Sequence, residues 1–333
     1  MKPNIEDILK KFREIGLDVG NNILKENRKY ILSNGKAKLK DDGYKRDYVV
    51  PPDKQSEKAL VAFIKKNYPG MLIIGEEGGR CFPDTDAFKD CFFLIDPLDG
   101  TGIYSGKVQE VLKKQDEVEF LKELGLVPKD DDFNKYCLHL NYSEGDISVV
   151  DYSFFPETGE EVFALKGKGS FYRKNGSEQR ILVSDKRTLD DAVIGVAILK
   201  TVYTQKFIER YSTLLKAMEE TLKRFTKEKR FAYTSAIYET CATAFAKNHR
   251  ERNDIYVNPQ IYQWDHPSLV VKEARGKSIM IVKKGEKFEI KEFSYRHFNN
   301  FDKGDDTFKK SYGIVTGNPW VVDKFVKTIE KSL

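Results

Sequence analysis

A chain of 333 residues, 40% hydrophobic and 33% charged, is long enough to bury a sizeable core, as one large domain or two close-packed lobes, and is not disordered. Its 57 basic and 52 acidic side chains leave a formal charge of +5, too small an excess to mark a nucleic-acid binder. Cys81, Cys91, Cys137 and Cys241 lack metal-type spacing, and the last three sit in apolar runs that predict buried free thiols. The first residues begin a polar helix without an apolar signal region, and no stretch approaches a membrane span, so the expected compartment is the reducing cytoplasm.

In chain order, Asn4 is placed to cap an amphipathic helix whose apolar face is Ile5, Ile8, Leu9, Phe12, Ile15 and Val19; the pattern fails after Ile31. Residues 33–52 read as a mobile loop ending in Pro51-Pro52, and Asp53 as the cap of a second helix stopped by Pro69-Gly70. Met71 to Ile74 and Cys91 to Ile95 are short apolar strands, each running straight into carboxylates, at Glu76-Glu77 and at Asp96. Residues 107–133 resemble a charged, helix-prone insertion near the entrance to this region. Tyr136 to Phe155 predicts a hairpin turning at Glu144-Gly145, with strands following at Glu161–Leu165, Gly169–Tyr172 and Ala192–Ala197. Thr204 to Phe225 is a long amphipathic helix, Lys223 to Arg230 solvated helix and loop surface, and Ser235 to Lys247 an Ala-rich helix. Trp264-Asp265 opens a further helix. Strands at Ser278–Lys283, Lys287–Phe293 and Gly313–Thr316 precede a last helix started by Asn318-Pro319. Helices and strands mix throughout, which predicts an α/β class.

The chemistry concentrates in Asp96-Pro97-Leu98-Asp99-Gly100-Thr101. Two carboxylates three residues apart on a Pro-shaped turn can face one point together with the Leu98 carbonyl, and hard divalent cations such as Mg²⁺ take oxygen ligands of this kind. If a helix or turn starts at Gly100 and Thr101, their amides form an anion site beside the metal, as metal-assisted phosphoryl transfer requires. The bland alternative is an acidic surface turn. Glu76 at another strand end and Asp265 beside a Trp add carboxylates of the same type.

Three motifs in this order, Gly75-Glu76-Glu77, Ile95-Asp96-Pro97-Leu98-Asp99-Gly100-Thr101 and Trp264-Asp265, resemble the inositol monophosphatase superfamily of magnesium-dependent, often lithium-sensitive phosphatases. The resemblance extends through Asp47 to Glu77, Gly145 to Phe171 and Tyr233-Thr234-Ser235-Ala236, so it covers most of the chain. It implies the layered αβαβα sandwich of the inositol monophosphatase and fructose-bisphosphatase type. The expected division is an N-terminal lobe over residues 1–185 and a C-terminal lobe over 186–333 that completes the metal site, the two forming one catalytic unit. It also implies roles. Glu76, Asp96 and the Leu98 carbonyl would hold one Mg²⁺; Asp96, Asp99 and Asp265 a second; Glu76 and water a third, weaker one. Glu76 and Thr101 would position the attacking water, Gly100 and Thr101 would hold phosphate, Ser235 would lie at the substrate side, and Asp47 would be a loop carboxylate near the metals. The implied partner is a small phosphorylated metabolite, with a homodimer as the suggested assembly and neither nucleic acid nor membrane expected. His266 is the one histidine placed to touch the site.

Where the resemblance weakens, it does so around substrate. The family's Val-Thr pair is Val49-Val50-Pro51-Pro52, the polar-aromatic pair after Thr101 becomes Gly102-Ile103-Tyr104-Ser105, and a Glu that would hold an inositol hydroxyl is Asn258. Inositol monophosphate is the default substrate. The alternatives are a 3′(2′),5′-bisphosphate nucleotide, expected to need an aromatic shelf near Asn258 to Tyr262; a sugar bisphosphate, for which Lys166, Lys168 and Arg173 are the candidate second-phosphate cations; or an inositol polyphosphate. A non-catalytic phosphate-binding regulator is the alternative of another class.

Overall fold

The computed structural model describes residues 2–41, 46–78, 80–81, 91–126, 133–199, 203–225, 228–232, 235–245, 252–285, 287–294 and 312–333. Asn4 caps the first helix as its position predicts, its Oδ1 accepting from the amides of Glu6 (2.8 Å) and Asp7 (3.4 Å). That helix, α1 (Ile5–Val19), widens into a π-helical turn at Gly20–Lys25 and resumes as α2 (Glu26–Asn34), ending on left-handed Gly35. There follow β1 (Lys38–Asp41), β2 (Arg46–Val49), α3 (Pro51–Asn67), β3 (Leu72–Gly75), β4 (Arg80–Cys81) and β5 (Cys91–Asp99). Short helices α4 (Thr101–Tyr104), α5 (Lys107–Val111) and α6 (Gln115–Glu123) come next. The meander β6 (Cys137–Glu144), β7 (Ile147–Phe155), β8 (Glu160–Leu165), β9 (Gly169–Lys174) and β10 (Ser177–Ile181) closes the first half. The second half runs β11 (Val193–Val196), α7 (Gln205–Phe225), β12 (Glu228–Phe231), α8 (Ala236–Ala242), β13 (Ile255–Ile261), a 3₁₀ turn (Gln263–Asp265), α9 (Ser268–Glu273), β14 (Lys277–Lys284), β15 (Lys287–Glu292), β16 (Tyr312–Gly317) and α10 (Pro319–Glu330).

Two large sheets result. The first has the order β10-β9-β8-β7-β6-β5-β3-β4, antiparallel except for the β3–β5 pair; the second has the order β12-β11-β13-β16-β14-β15, parallel across its first three strands. The buried side chains sort into layers. Ile8, Phe12, Leu60 and Ile64 of α1 and α3 cover one face of the first sheet. Between the sheets lie α8 and α9 with Tyr238, Leu269 and Val270, next to the strand residues Leu72, Phe92, Tyr256 and Met280. Leu214, Met218 and Phe325 of α7 and α10 cover the outer face of the second sheet. This is the expected αβαβα sandwich.

The differences from the sequence reading have local causes. Residues 33–52 hold the β1–β2 hairpin, which alternation cannot reveal because Leu39 is exposed between lysines. The Lys-rich stretch before Arg230 contributes β12, an edge strand, where charge is tolerated. Strand β13 contains Pro259, accommodated by an irregularity between Asn258 and Ile261. Helix α3 begins at Pro51; Asp53 lies in its first turn and reaches back to the Val50 amide (2.5 Å). The insertion is no appendage: Val108, Val111, Phe120, Leu121, Leu124 and Leu126 are buried in the same core as α7 and α10. Cys91, Cys137 and Cys241 are buried free thiols. Among the described residues no helix is long and apolar enough to cross a membrane.

Candidate metal and phosphate site

Strands β3 and β5 run parallel, with Gly75 paired to Ile95, so the residues following each emerge side by side at one sheet edge. Glu76 leaves the end of β3, its amide bonded to the Ile95 carbonyl (3.1 Å), and Asp96 is next along β5. Asp265 arrives from the 3₁₀ turn after β13, its Oδ2 accepting from the Tyr262 amide (3.3 Å). Carboxylate oxygens of Glu76, Asp96 and Asp265 all lie within 4.8 Å of one another, with Asp96 and Asp265 buried.

Two unit charges 4.8 Å apart repel by about 3.5 kcal/mol at an effective dielectric near 20. Three ionised carboxylates would therefore cost about 10 kcal/mol, comparable with the whole stability of a typical domain. The cluster needs a cation or a proton. Accordingly burial raises the Asp96 carboxyl well above its ordinary range, and Glu76, Asp99 and Asp265 push it further. One Asp96 oxygen accepts from the Leu98 amide (3.0 Å); the other, Oδ2, is buried without a hydrogen-bond partner. Glu76 can hydrogen-bond to it only if one of the two carboxyls is protonated. A buried carboxylate with one oxygen unpaired, grouped with two more carboxylates, fits a hard divalent cation.

Asp99 stands at the rim of this cluster. Its Oδ2 accepts from the Ser235 hydroxyl (2.5 Å) and the Ile237 amide (2.8 Å), tying the metal-motif turn to the start of α8. Ser235 in turn caps that helix by accepting from the Tyr238 amide (3.0 Å). Gly100, at φ 86°, takes the left-handed conformation that turns the strand sharply into α4, and its carbonyl accepts from the Ile103 and Tyr104 amides (2.9 Å each). The Thr101 hydroxyl lies 2.9 Å from the Leu98 carbonyl and 3.2 Å from Asp53 Oδ1; having one proton, it donates to one of them at a time. The Leu98 carbonyl keeps a second lone pair for another ligand.

Two acids at this site are absent from the sequence assignment. Asp53 is the carboxylate that meets Thr101, and Glu57 props the Gly75-Glu76-Glu77 turn, its Oε2 accepting from the Glu77 amide (2.8 Å). A Cβ at Gly75 would stand 2.2 Å from that Glu57 oxygen, so any other residue there would push the Glu57 carboxylate aside. The signal was available: Asp53 and Glu57, one turn apart, share the α3 face of Leu60 and Ile64, which is the buried one. Asp47 lies on β2, and its side chain is outside the described residues, as are Tyr233 and Thr234.

Other expectations resolve as follows. Asn258 is buried, its amide donating to the Tyr256 hydroxyl (2.8 Å) and its Oδ1 accepting from the Gln260 amide (2.9 Å). Tyr262 and Trp264 do form an aromatic pair, but the rings are buried and stacked on each other, 5.2 Å apart. Lys168 pairs with Glu6, and Arg173 with Glu161 and Glu178. His266 is fully buried with its ring edge against Phe293; burial and His139 pull it down to about 3, so it is neutral. His249 and His297 lie outside the described residues.

Fold and site thus define an α/β sandwich protein with a carboxylate cluster of the kind that holds divalent cations. Residues 6–299 match the model of the inositol monophosphatase family, and the chain belongs to that family. It is 24% identical over 294 residues to a Thermotoga maritima protein named fructose-1,6-bisphosphatase/inositol-1-monophosphatase, covering 88% of this chain and 86% of that one. It is 43% identical over 150 residues to Nus factor SuhB of Pseudomonas aeruginosa, covering 45% of this chain and 44% of that protein. In structure it is similar to the extragenic suppressor protein SuhB of Bartonella henselae (TM-score 0.67, 18% identity, 98% and 100% of the two chains). It is also similar to an IMPase of Thermotoga maritima (TM-score 0.63, 20% identity, 98% of each chain).

Proposed function

We propose that this protein is a Mg²⁺-dependent phosphatase of a small phosphate monoester, with inositol monophosphate as the first substrate to test. The observation that carries the proposal is the convergence of Glu76, Asp96 and Asp265, with one buried Asp96 oxygen left without a hydrogen-bond partner. Glu76, Asp96, the Leu98 carbonyl, Asp99 and Asp265 would hold two or three Mg²⁺ ions, with residues 1–185 supplying all but Asp265, which comes from residues 186–333. Bound there, Mg²⁺ supplies charge neutralisation for the phosphate dianion and lowers the pKa of a coordinated water.

The chain's own groups do the rest. Thr101, donating to Asp53, turns its hydroxyl lone pairs toward a water and orients it for attack. Gly100 and Thr101, at the start of α4, present their amides to the phosphate oxygens. Asp99, held by Ser235 and Ile237, ties the turn before α4 to the start of α8; Asn258 would lie at the substrate side, and Asp47, on β2, would lie near the metals. No side-chain nucleophile is required, so no covalent phospho-enzyme forms.

The name of the Thermotoga relative covers both a sugar bisphosphate and an inositol phosphate, so fructose 1,6-bisphosphate is the second substrate reading. The test is phosphate release over a panel of inositol phosphates, sugar bisphosphates and nucleotide bisphosphates, with and without Mg²⁺ and Li⁺. Release that needs Mg²⁺, falls with Li⁺ and disappears in Asp96→Asn supports the reading. No Mg²⁺-dependent release from any ester overturns it and leaves a phosphate-binding regulator. The expected setting is cytoplasmic, with a homodimer as the expected assembly.

A further inference from the structure

Arg28 is a charged side chain placed where charge is expensive. It is 8% exposed, one helical turn beyond the π-helical segment of the N-terminal helix. Its guanidinium donates to the Phe133 carbonyl (2.6 Å), Asn134 Oδ1 (3.1 Å) and Glu157 Oε2 (3.0 Å), and stacks over the Tyr136 ring at 4.8 Å. It therefore grips the chain where the 107–133 segment returns to the sheet. Its Nε is buried with no acceptor. An unsatisfied buried donor costs about 1–3 kcal/mol, so this is a poor arrangement if stability alone is served.

The contacts continue from there to the site. Tyr136 donates to Glu157 Oε2 (3.1 Å) and meets the Tyr104 ring edge-on at 4.9 Å. Tyr104 is fully buried; its hydroxyl donates to the Leu24 carbonyl inside the π-helical turn (2.7 Å), and its amide closes α4 onto the Gly100 carbonyl (2.9 Å). Leu24 and Arg28, one turn apart on the same helix, thus hold the two tyrosines from both sides. Tyr104 is the last residue of the four-residue helix that begins at Thr101. A helix of one turn has little stability of its own and takes its orientation from what packs against it.

We propose that Arg28 is a positioning residue for the catalytic loop: through Tyr136 and Tyr104 it sets the orientation of α4, and with it the Gly100 amide and the Thr101 hydroxyl. The inference rests on the reading of this protein as a Mg²⁺-dependent phosphatase. The carboxylate cluster is reached through β3, β5 and the 3₁₀ turn, and not through this brace, so metal affinity and loop orientation separate.

The test is steady-state kinetics of the full chain well below its melting temperature, on the best ester of the panel. Arg28→Met is expected to lower kcat tenfold or more while the half-saturating Mg²⁺ concentration stays within twofold of wild type. Arg28→Lys keeps a cation over the Tyr136 ring and is expected to recover kcat to within threefold of wild type. Tyr104→Phe, which removes only the hydroxyl bonded to Leu24, is expected to lower kcat at least threefold at unchanged Mg²⁺ requirement. It decides the matter if Arg28→Met does not fold. A folded Arg28→Met or Tyr104→Phe with kcat within twofold of wild type overturns the proposal, whatever its melting temperature. A wild-type protein without Mg²⁺-dependent turnover fails the phosphatase reading instead, and this is seen before any variant is made.

Discussion

Replacing Asp96 by Asn should make the metal-free protein more stable. The substitution removes one of three charges whose oxygens lie within 4.8 Å, and each repulsion relieved is worth about 3.5 kcal/mol. Asn keeps an oxygen for the Leu98 amide and puts a donor where Oδ2 now has no partner. For 333 residues the entropy of unfolding is about 0.7 kcal/mol per degree, so a net gain of one such repulsion raises Tm by about 5 °C. The sign of the pH dependence follows from the raised carboxyl. The folded metal-free protein binds the Asp96 proton more tightly than the unfolded chain, whose ordinary value is 3.8. Stability from this group is present below about pH 4 and is lost as pH rises through the raised value. Calorimetry in EDTA at pH 5 and pH 8, repeated with 10 mM Mg²⁺, measures this. The variant should melt above wild type in EDTA, by more at pH 8 than at pH 5, and Mg²⁺ should raise Tm of wild type much more than of the variant. A variant that melts below wild type in EDTA at both pH values would refute the electrostatic reasoning and make Asp96 an ordinary structural acid.

Three other outcomes are expected. His266→Leu removes a buried imidazole held near 3, against 6.5 when unfolded; the neutral ring's contribution is present above pH 6.5 and lost as pH falls toward 3. Urea unfolding at pH 7.5 and pH 5 should therefore show the wild type losing up to about 1.4 kcal/mol per pH unit more than the variant, and equal losses would contradict the shift. Gly75→Ala drives a Cβ into the Glu57 carboxylate 2.2 Å away, and should cost about 1–3 kcal/mol and raise the half-saturating Mg²⁺ at least tenfold; an unchanged Mg²⁺ requirement would show that Glu57 does not prop the Glu76 turn. Thr101→Val should cut kcat by about a hundredfold or more while Thr101→Ser stays within about tenfold, because only a hydroxyl can donate to Asp53 and accept from a water at once; equal activity of the two would remove Thr101 from the reaction.

Much of this was legible in the sequence, for reasons that differ by element. Strands β3 and β5 announce themselves because both faces are buried, so they read as apolar runs that stop at carboxylates. Helices α1 and α10 carry their own start signals in Asn4 and in Asn318-Pro319. The hairpin β1–β2 and strand β12 stayed hidden because their charged residues lack the alternation that only a one-sided core imposes. At the site, the motif carboxylates were readable because buried strands end straight in Glu76 and Asp96 and because Asp265 follows a Trp. Asp53 and Glu57 were not, because an acid near a helix start also reads as a cap; only their shared face with Leu60 and Ile64 marks them as buried. That Asp99 is engaged by Ser235 and Ile237 depends on how α8 lies across β5, which is tertiary information.

Diffraction from crystals grown with Mn²⁺ in place of Mg²⁺ tests the account at its centre, because anomalous scattering locates the ion independently of turnover. A peak in coordination distance of Glu76, Asp96 and Asp265 is the predicted result. Crystals of fully folded protein with Mn²⁺ present and no peak among those three carboxylates would contradict it.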